Sequence, residues 1–152
     1  MYCLKFTQKL PISLNECWDF FSRPQNLKTI TGEHLGFEIT NDCQDTKMYP
    51  GQIISYIIRP LWNLPIEWVT EITHVQEPYY FIDEQRFGPY KFWHHEHRFY
   101  EIPNGVEIID MVYYQMPFGI IGKIVHSLKV KKDLNAIFSY RRAKLEKLFG
   151  SL

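Results

Sequence analysis

A chain of 152 residues, 45% hydrophobic and 22% charged, is long enough to bury one sizeable core and too apolar to remain disordered. Lys plus Arg equals Asp plus Glu at 17 each, so the molecule lacks the strong field that recruits nucleic acid or anionic membrane over a distance. Three cysteines, Cys3, Cys17 and Cys43, are an odd number without C-x-x-C spacing, which argues against a disulfide framework or a structural zinc site.

The chain opens with "YCLKFTQKL", whose alternation predicts a strand. "PISLNECWDFF" then changes period, with Leu14, Cys17, Trp18 and Phe21 on one helical face. Ser13 followed by Glu16 is a capping-box signature for that helix. "SRPQNLKTIT" predicts a second short helix, with Ser22 as its expected cap and Pro24 in its first turn, where a missing N–H costs little. From Gly36 onward the segments "GFEIT", "GQIISYII", "IEWVTEITHV", "YYFIDEQRF", "FWHHEHRFYEI" and "VEIIDMVYYQM" are rich in β-branched and aromatic residues. Pro50-Gly51, Gly88-Pro89 and Asn104-Gly105 mark turns between them, so the middle of the chain is expected to be an antiparallel meander. After "PFG" the helical period returns, with Leu134, Ile137, Phe138, Arg141, Leu145 and Leu148 as one stripe ended by Gly150.

No repeat or linker interrupts this order, and residues 1–152 are expected to form one domain of the α+β class. About seven strands in a curved sheet would wrap the final helix, each burying the other's apolar face. The N-terminus lacks a long apolar run, and no stretch reaches the roughly 18 apolar residues of a membrane span. A cytoplasmic protein that is not integral to a membrane is therefore expected.

The stretch "LPISLNECWDFFSRPQNLKTIT" resembles the opening of the SRPBCC superfamily: a proline ending the first strand, a W-x-F helix and a proline-containing second helix. The elements "FIDEQ", "GPY", "W-x-H-x-H-x-F" and "D-x-V-x-Y-x-x-P" resemble the small stand-alone ligand-binding members of that superfamily. The resemblance implies the helix-grip, START-like fold of lipid-transfer domains, polyketide aromatase/cyclases and birch-pollen allergens. It does not choose among their activities, because one fold hosts many functions.

The densest chemistry lies in "KFWHHEHRFYEI". In a strand, Trp93, His95, His97 and Phe99 share one face, and Phe92, His94, Glu96, Arg98 and Tyr100 share the other, outer one. A hairpin at Gly88-Pro89 that pairs Gln85 with Trp93 sets Asp83 opposite His95 and Phe81 opposite His97. A two-residue loop at Asn104-Gly105 sets Asp110 opposite Phe99, Val112 opposite His97 and Tyr114 opposite His95. Buried carboxylates and imidazoles are expected to pair. Three readings stand side by side: a satisfied polar network, ligand recognition in an aromatic cavity, and acid-base catalysis by His95 or His97 oriented by Asp83.

A metal held by the two histidines with Asp83 or Asp110 is geometrically conceivable, but neither metal nor cofactor is expected, since metal binding is not general in the resembled superfamily. Trp62 is a candidate for the pocket mouth and Trp68, with Thr70 and Ile72, for a wall. Phe118, Ile120 and Ile121 would form a lid or a staple, and Leu134, Ile137, Phe138 and Arg141 the pocket floor. The bases of "KVKKD" and "RRAKLEK" read as a solvated helix face. No phosphate-loop, dinucleotide or nucleophile-elbow motif is present.

The reading expected from the sequence is a cavity for a hydrophobic, aromatic or lipid-like small molecule. Its ligand-binding residues would be Trp68, Asp83, Gln85, Trp93, His95, His97, Phe99, Asp110, Tyr114 and Phe118. A cyclase/dehydratase-like enzyme and a protein-protein interaction module are the alternatives.

Overall fold

The computed structural model describes residues 1–31, 36–41, 46–61, 64–120, 122 and 129–152, with the backbone alone at 60 and 61. β1 (Tyr2–Leu10) leads into α1 (Leu14–Phe21) and α2 (Pro24–Ile30). Six strands follow: β2 (Glu38–Ile39), β3 (Gln52–Leu61), β4 (Leu64–Gln76), β5 (Tyr80–Phe87), β6 (Phe92–Ile102) and β7 (Gly105–Gln115). The long helix α3 (Lys131–Phe149) closes the chain. All seven strands form one antiparallel sheet in the order β1-β7-β6-β5-β4-β3-β2, so the N-terminal strand pairs with the last. No helix of the described residues is long and apolar enough to cross a membrane.

Local chemistry explains the helix ends. The Ser13 hydroxyl accepts from the Glu16 backbone N–H at 3.2 Å, satisfying one free donor of α1. Ser22 does not cap α2. It ends α1, donating its backbone N–H to the Trp18 carbonyl, and its side chain is fully buried. Arg23 occupies the cap position of α2 without a side-chain bond, and Pro24 begins that helix. Gly150, at φ 92, stops α3 and donates to the Glu146 carbonyl. In the final turn Phe149 packs on Phe20 and Leu148 is left 47% exposed, so Leu148 does not continue the inward stripe.

Strand pairing corrects one predicted register. The β5–β6 ladder sets Asp83 opposite His95 and Phe81 opposite His97, as the sequence suggests. Across β6–β7, however, Trp93 meets Tyr114, His95 meets Val112 and His97 meets Asp110, two residues from the expected pairing. The hairpin closes at Ile102–Gly105 around Pro103 and Asn104. Proline fixes φ near −65°, which excludes the turn with two positive φ values, while Asn104 at φ 66 supplies the left-handed position that follows it. A slip of two preserves the faces, so Trp93, His95, His97 and Phe99 still point inward.

The interior divides into two apolar clusters. At one end Trp18 packs edge-on between Phe81 and Phe99, with centroids 6.1 and 6.0 Å away, and Phe21, Leu10 and Leu145 complete the fill. Cys17 lies in this cluster, and burial pushes its thiol far above the ordinary value; Cys3 is exposed. At the other end Trp68, Trp93, Val112, Tyr114, Leu134 and Phe138 form a second cluster under the first half of α3. Gln8 donates to the Arg142 carbonyl and Arg142 to the Thr7 carbonyl, which ties α3 to β1.

Candidate functional site

A cavity of about 310 Å³ lies between the inner face of the sheet and α3. Its walls are the inward residues of β3 and β4, Ile54, Tyr56, Ile58, Ile66, Trp68, Thr70 and Ile72, together with Phe81 and Trp93. Leu134, Ile137, Phe138 and Arg141 of α3 form the opposite side, the floor expected from their spacing. The aromatic wall is continuous: Tyr56 stacks on Trp68 at 5.8 Å, Trp68 meets Trp93 edge-on at 5.1 Å, and Tyr90 lies 4.9 Å from Trp93. The Tyr56 hydroxyl pairs with the Thr70 hydroxyl at 3.2 Å, and burial pushes the phenols of Tyr56 and Tyr90 up. The Trp68 indole N–H is buried without a hydrogen-bond partner among the described residues.

Besides Thr31, Thr70 and the Lys129–Asp133 ion pair at the start of α3, the lining carries a buried cluster of charged and imidazole side chains. His95 and His97, two residues apart on β6, stack with centroids 3.8 Å apart. His95 Nε2 lies 2.9 Å from Asp110 Oδ1, and His97 Nε2 lies 2.9 Å from Asp83 Oδ2, both as hydrogen bonds. The remaining ring nitrogens approach the opposite carboxylates. His95 Nδ1 is 3.3 Å from Asp83 Oδ2, and His97 Nδ1 is 2.9 Å from Asp110 Oδ1, close but out of line for a hydrogen bond. Arg141 turns inward from α3 rather than outward, its Nη1 3.3 Å from Asp110 Oδ1, and Trp93 Nε1 donates to Asp83 Oδ1 at 3.3 Å.

Burial alone would raise both carboxyls. The two imidazoles nevertheless hold Asp83 well below the usual carboxylate range, and with Arg141 they hold Asp110 there too. Burial opposes charge on His95, yet Asp83 and Asp110 raise its pKa above the ordinary histidine value. Closely packed opposite charges in a dry interior stabilise one another only when geometry and hydrogen bonding are complete, so each member constrains the rest.

The two sides of this cluster differ. Asp83, His95, His97 and Arg141 line the main cavity. Asp110 instead borders a second hollow of about 230 Å³ between β1 and α3, which it shares with Phe6, Thr7, Gln8, Ser139 and Arg142. Phe138 and Arg141 touch both hollows.

Of the other sequence-predicted residues, Trp68 and Trp93 line the cavity. Gln85 does not: its amide donates to the Tyr90 carbonyl at 2.7 Å and accepts from the Tyr90 N–H, clasping the β5–β6 turn. Phe99 is fully buried in the closed aromatic cluster. Tyr114 is fully buried behind Trp93 and Tyr90 rather than on the lining, and desolvation raises its hydroxyl to about 12. Phe118 and Ile120 stand 82% and 76% exposed and do not line the cavity. Trp62, Cys43 and Ile121 lie outside the described residues. On the outer face His94 pairs with Glu84 at 2.7 Å, and Glu96 with Arg98.

Sequence reasoning passed over Tyr56 and Tyr90. Tyr56 was readable, since Ile54, Tyr56 and Ile58 alternate on one face of β3. Tyr90 sits in a turn and carries no periodic signal.

A curved antiparallel sheet gripping a C-terminal helix, with two short helices after the first strand, is the helix-grip, Bet v 1-like fold of the SRPBCC type. Solved structures with this arrangement cover nearly the whole chain. Protein CV1439 from Chromobacterium violaceum superposes with a TM-score of 0.75 at 6% identity, over 99% of this chain and 98% of that one. Protein Ms6760 from Mycobacterium smegmatis gives 0.64 at 17% identity, over 96% and 92%. Ara h 8.0201 gives 0.63 at 11% identity, over 96% and 98%. At such identities the likeness establishes the fold. No protein-family model and no curated protein matches the sequence.

Proposed function

We propose that the protein binds a hydrophobic or aromatic small molecule, or a lipid-like metabolite, between the sheet and α3. The observation that carries this reading is the cavity of about 310 Å³ whose aromatic and aliphatic walls enclose a buried cluster of Asp83, His95, His97 and Arg141. Ligand sites are typically apolar hollows in which a few placed polar groups fix orientation. The indole N–H of Trp68, without a partner among the described residues, adds a donor that an acceptor atom of the ligand would satisfy. A filled core with a large exposed apolar patch would favour an interaction module, and a hollow of this size speaks for the small-molecule reading instead.

Titration with the neutral probe N-phenyl-1-naphthylamine tests the proposal. Saturable binding of one probe per chain is expected, weakened in Trp93→Ala and His95→Ala. Failure of both this probe and anilinonaphthalene sulfonate to saturate would refute it. A second reading, a cyclase/dehydratase-like enzyme, draws on the carboxylate-paired histidines at the cavity wall, since a histidine oriented by a carboxylate is a common general acid or base. Turnover of a polyketide-like substrate that is lost in His95→Gln, while binding persists, would establish that reading. A His95→Gln enzyme with undiminished rate would remove it.

A further inference from the structure

We infer that Asp83, His95 and His97 form a binding site for one divalent first-row transition ion, with Asp110 as the group that orients both imidazoles. On the sequence, two histidines with Asp83 or Asp110 made a metal conceivable but not expected; the three-dimensional pairing favours it. The donor atoms of these three residues lie within 4.8 Å of one another. His97 Nε2 and His95 Nδ1 both approach the same oxygen, Asp83 Oδ2, at 2.9 and 3.3 Å. Ligand atoms about 2.0–2.2 Å from a tetrahedral zinc stand roughly 3.3 Å apart, so small side-chain rotations would complete the set.

The rear of the site strengthens the inference. The other nitrogens, His95 Nε2 and His97 Nδ1, both lie 2.9 Å from Asp110 Oδ1. A metal-bound imidazole characteristically gives its second N–H to a carboxylate, which fixes tautomer and ring orientation. Asp110 already pairs with His95 Nε2, and a small rotation of the His97 ring would bring its Nδ1–H, now close but out of line, onto the same oxygen; Arg141 holds Asp110 in turn. With both rings so oriented, His95 Nδ1, His97 Nε2 and Asp83 Oδ2 would be three acceptors within 4.8 Å of one another, a set that a cation would satisfy. Two imidazoles and one carboxylate suit zinc or ferrous iron rather than calcium or magnesium.

Three protein donors leave coordination positions open, and the three residues line the main cavity. This part rests on the cavity reading above: the ligand class such an ion would take is an apolar molecule bearing a carbonyl or carboxylate oxygen.

The test is titration of the chelator-treated full chain with Co²⁺, whose visible absorption reports donor set and geometry, followed by competition with Zn²⁺. One ion per chain is expected. His95→Gln and His97→Gln should each weaken it at least ~100-fold, Asp110→Asn about 10–100-fold, and His94→Gln, on the outer face, should leave it unchanged. Absence of saturable binding, or binding retained by a His95→Gln/His97→Gln double variant, overturns the site. Where a variant fails to fold, imidazole ¹⁵N spectra of the wild type decide. Zn²⁺ should shift His95 Nδ1 and His97 Nε2, and shifts confined to His94 or His74 would overturn the assignment. The neutral-probe titration on metal-free protein separates the two proposals. Probe without metal binding removes this inference alone, and metal without probe binding removes the cavity reading alone.

Discussion

The two ends of the interior use the same strands differently. Around Trp18 the inward residues of β5, β6 and β7 meet α1 and the last turns of α3, and aromatic rings fill the space. Around Trp68 and Trp93 the sheet faces the first half of α3, and comparable aromatic content leaves a hollow. Packing material is therefore not what separates a core from a cavity here. The difference lies in what closes the sheet: α1 brings Trp18 and Phe21 against one end, while at the other Leu134, Ile137, Phe138 and Arg141 of α3, with Leu27 of α2, face the sheet across the hollow. The polar cluster sits at the junction, where Phe81 stacks on His97 at 4.2 Å and His95 meets Phe138.

The largest effect is expected of Phe99→Ala. Phe99 is fully buried and touches Trp18, Phe21 and Phe81, so truncation leaves a void that rigid neighbours cannot fill. A loss of about 3–5 kcal/mol is expected in urea unfolding. Affinity for N-phenyl-1-naphthylamine, measured where the variant is folded, should be unchanged. A strong loss of affinity would mean that the two ends are one compartment.

Trp68→Ala should reverse that balance. Trp68 already borders empty space, so fewer packing contacts disappear, and a cost of about 1–2 kcal/mol is expected, below the usual large-to-small value for tryptophan. Probe affinity should fall at least ~10-fold, equivalent to 1.4 kcal/mol. A destabilisation as large as that of Phe99→Ala, with binding intact, would make Trp68 a core residue like those at the closed end.

Legibility in the sequence followed the same division. The element order and the inward face of β6 were readable because period-two and period-3.6 patterns report burial directly. Asp83 opposite His95 was readable from a hairpin, whereas the partner of His97 was not, because Pro103 moved the β6–β7 turn by one residue and the register by two. Gln85 shares the inward alternation with Asp83, yet its amide is spent on Tyr90, an interaction that depends on turn geometry rather than on period. The inward turn of Arg141 likewise depends on Asp110, distant in sequence. Whether an aromatic-rich interior is filled or hollow depends on how closely sheet and helix approach, which pattern alone does not encode.

The smallest effect on stability is expected at Ile54. Ile54 is 1% exposed and sits at the junction, packed into the Trp18 cluster and facing the hollow from β3, opposite Thr70 on β4. Ile54→Phe adds volume where the sheet leaves room, so the usual cost of overpacking a filled core should not arise. The added ring gains contacts with Tyr56 and Trp68, and filling a cavity commonly raises stability by about 0.5–1 kcal/mol. At the closed end the equivalent enlargement, Val106→Phe, should destabilise by about 1–3 kcal/mol, because Val106 is fully buried among packed neighbours. Thermal unfolding of the two variants therefore reads the sign of free space at each end. Opposite signs, with probe binding abolished in Ile54→Phe alone, fit a hollow reserved for a ligand; equal destabilisation would mean that the second end closes as tightly as the first in solution.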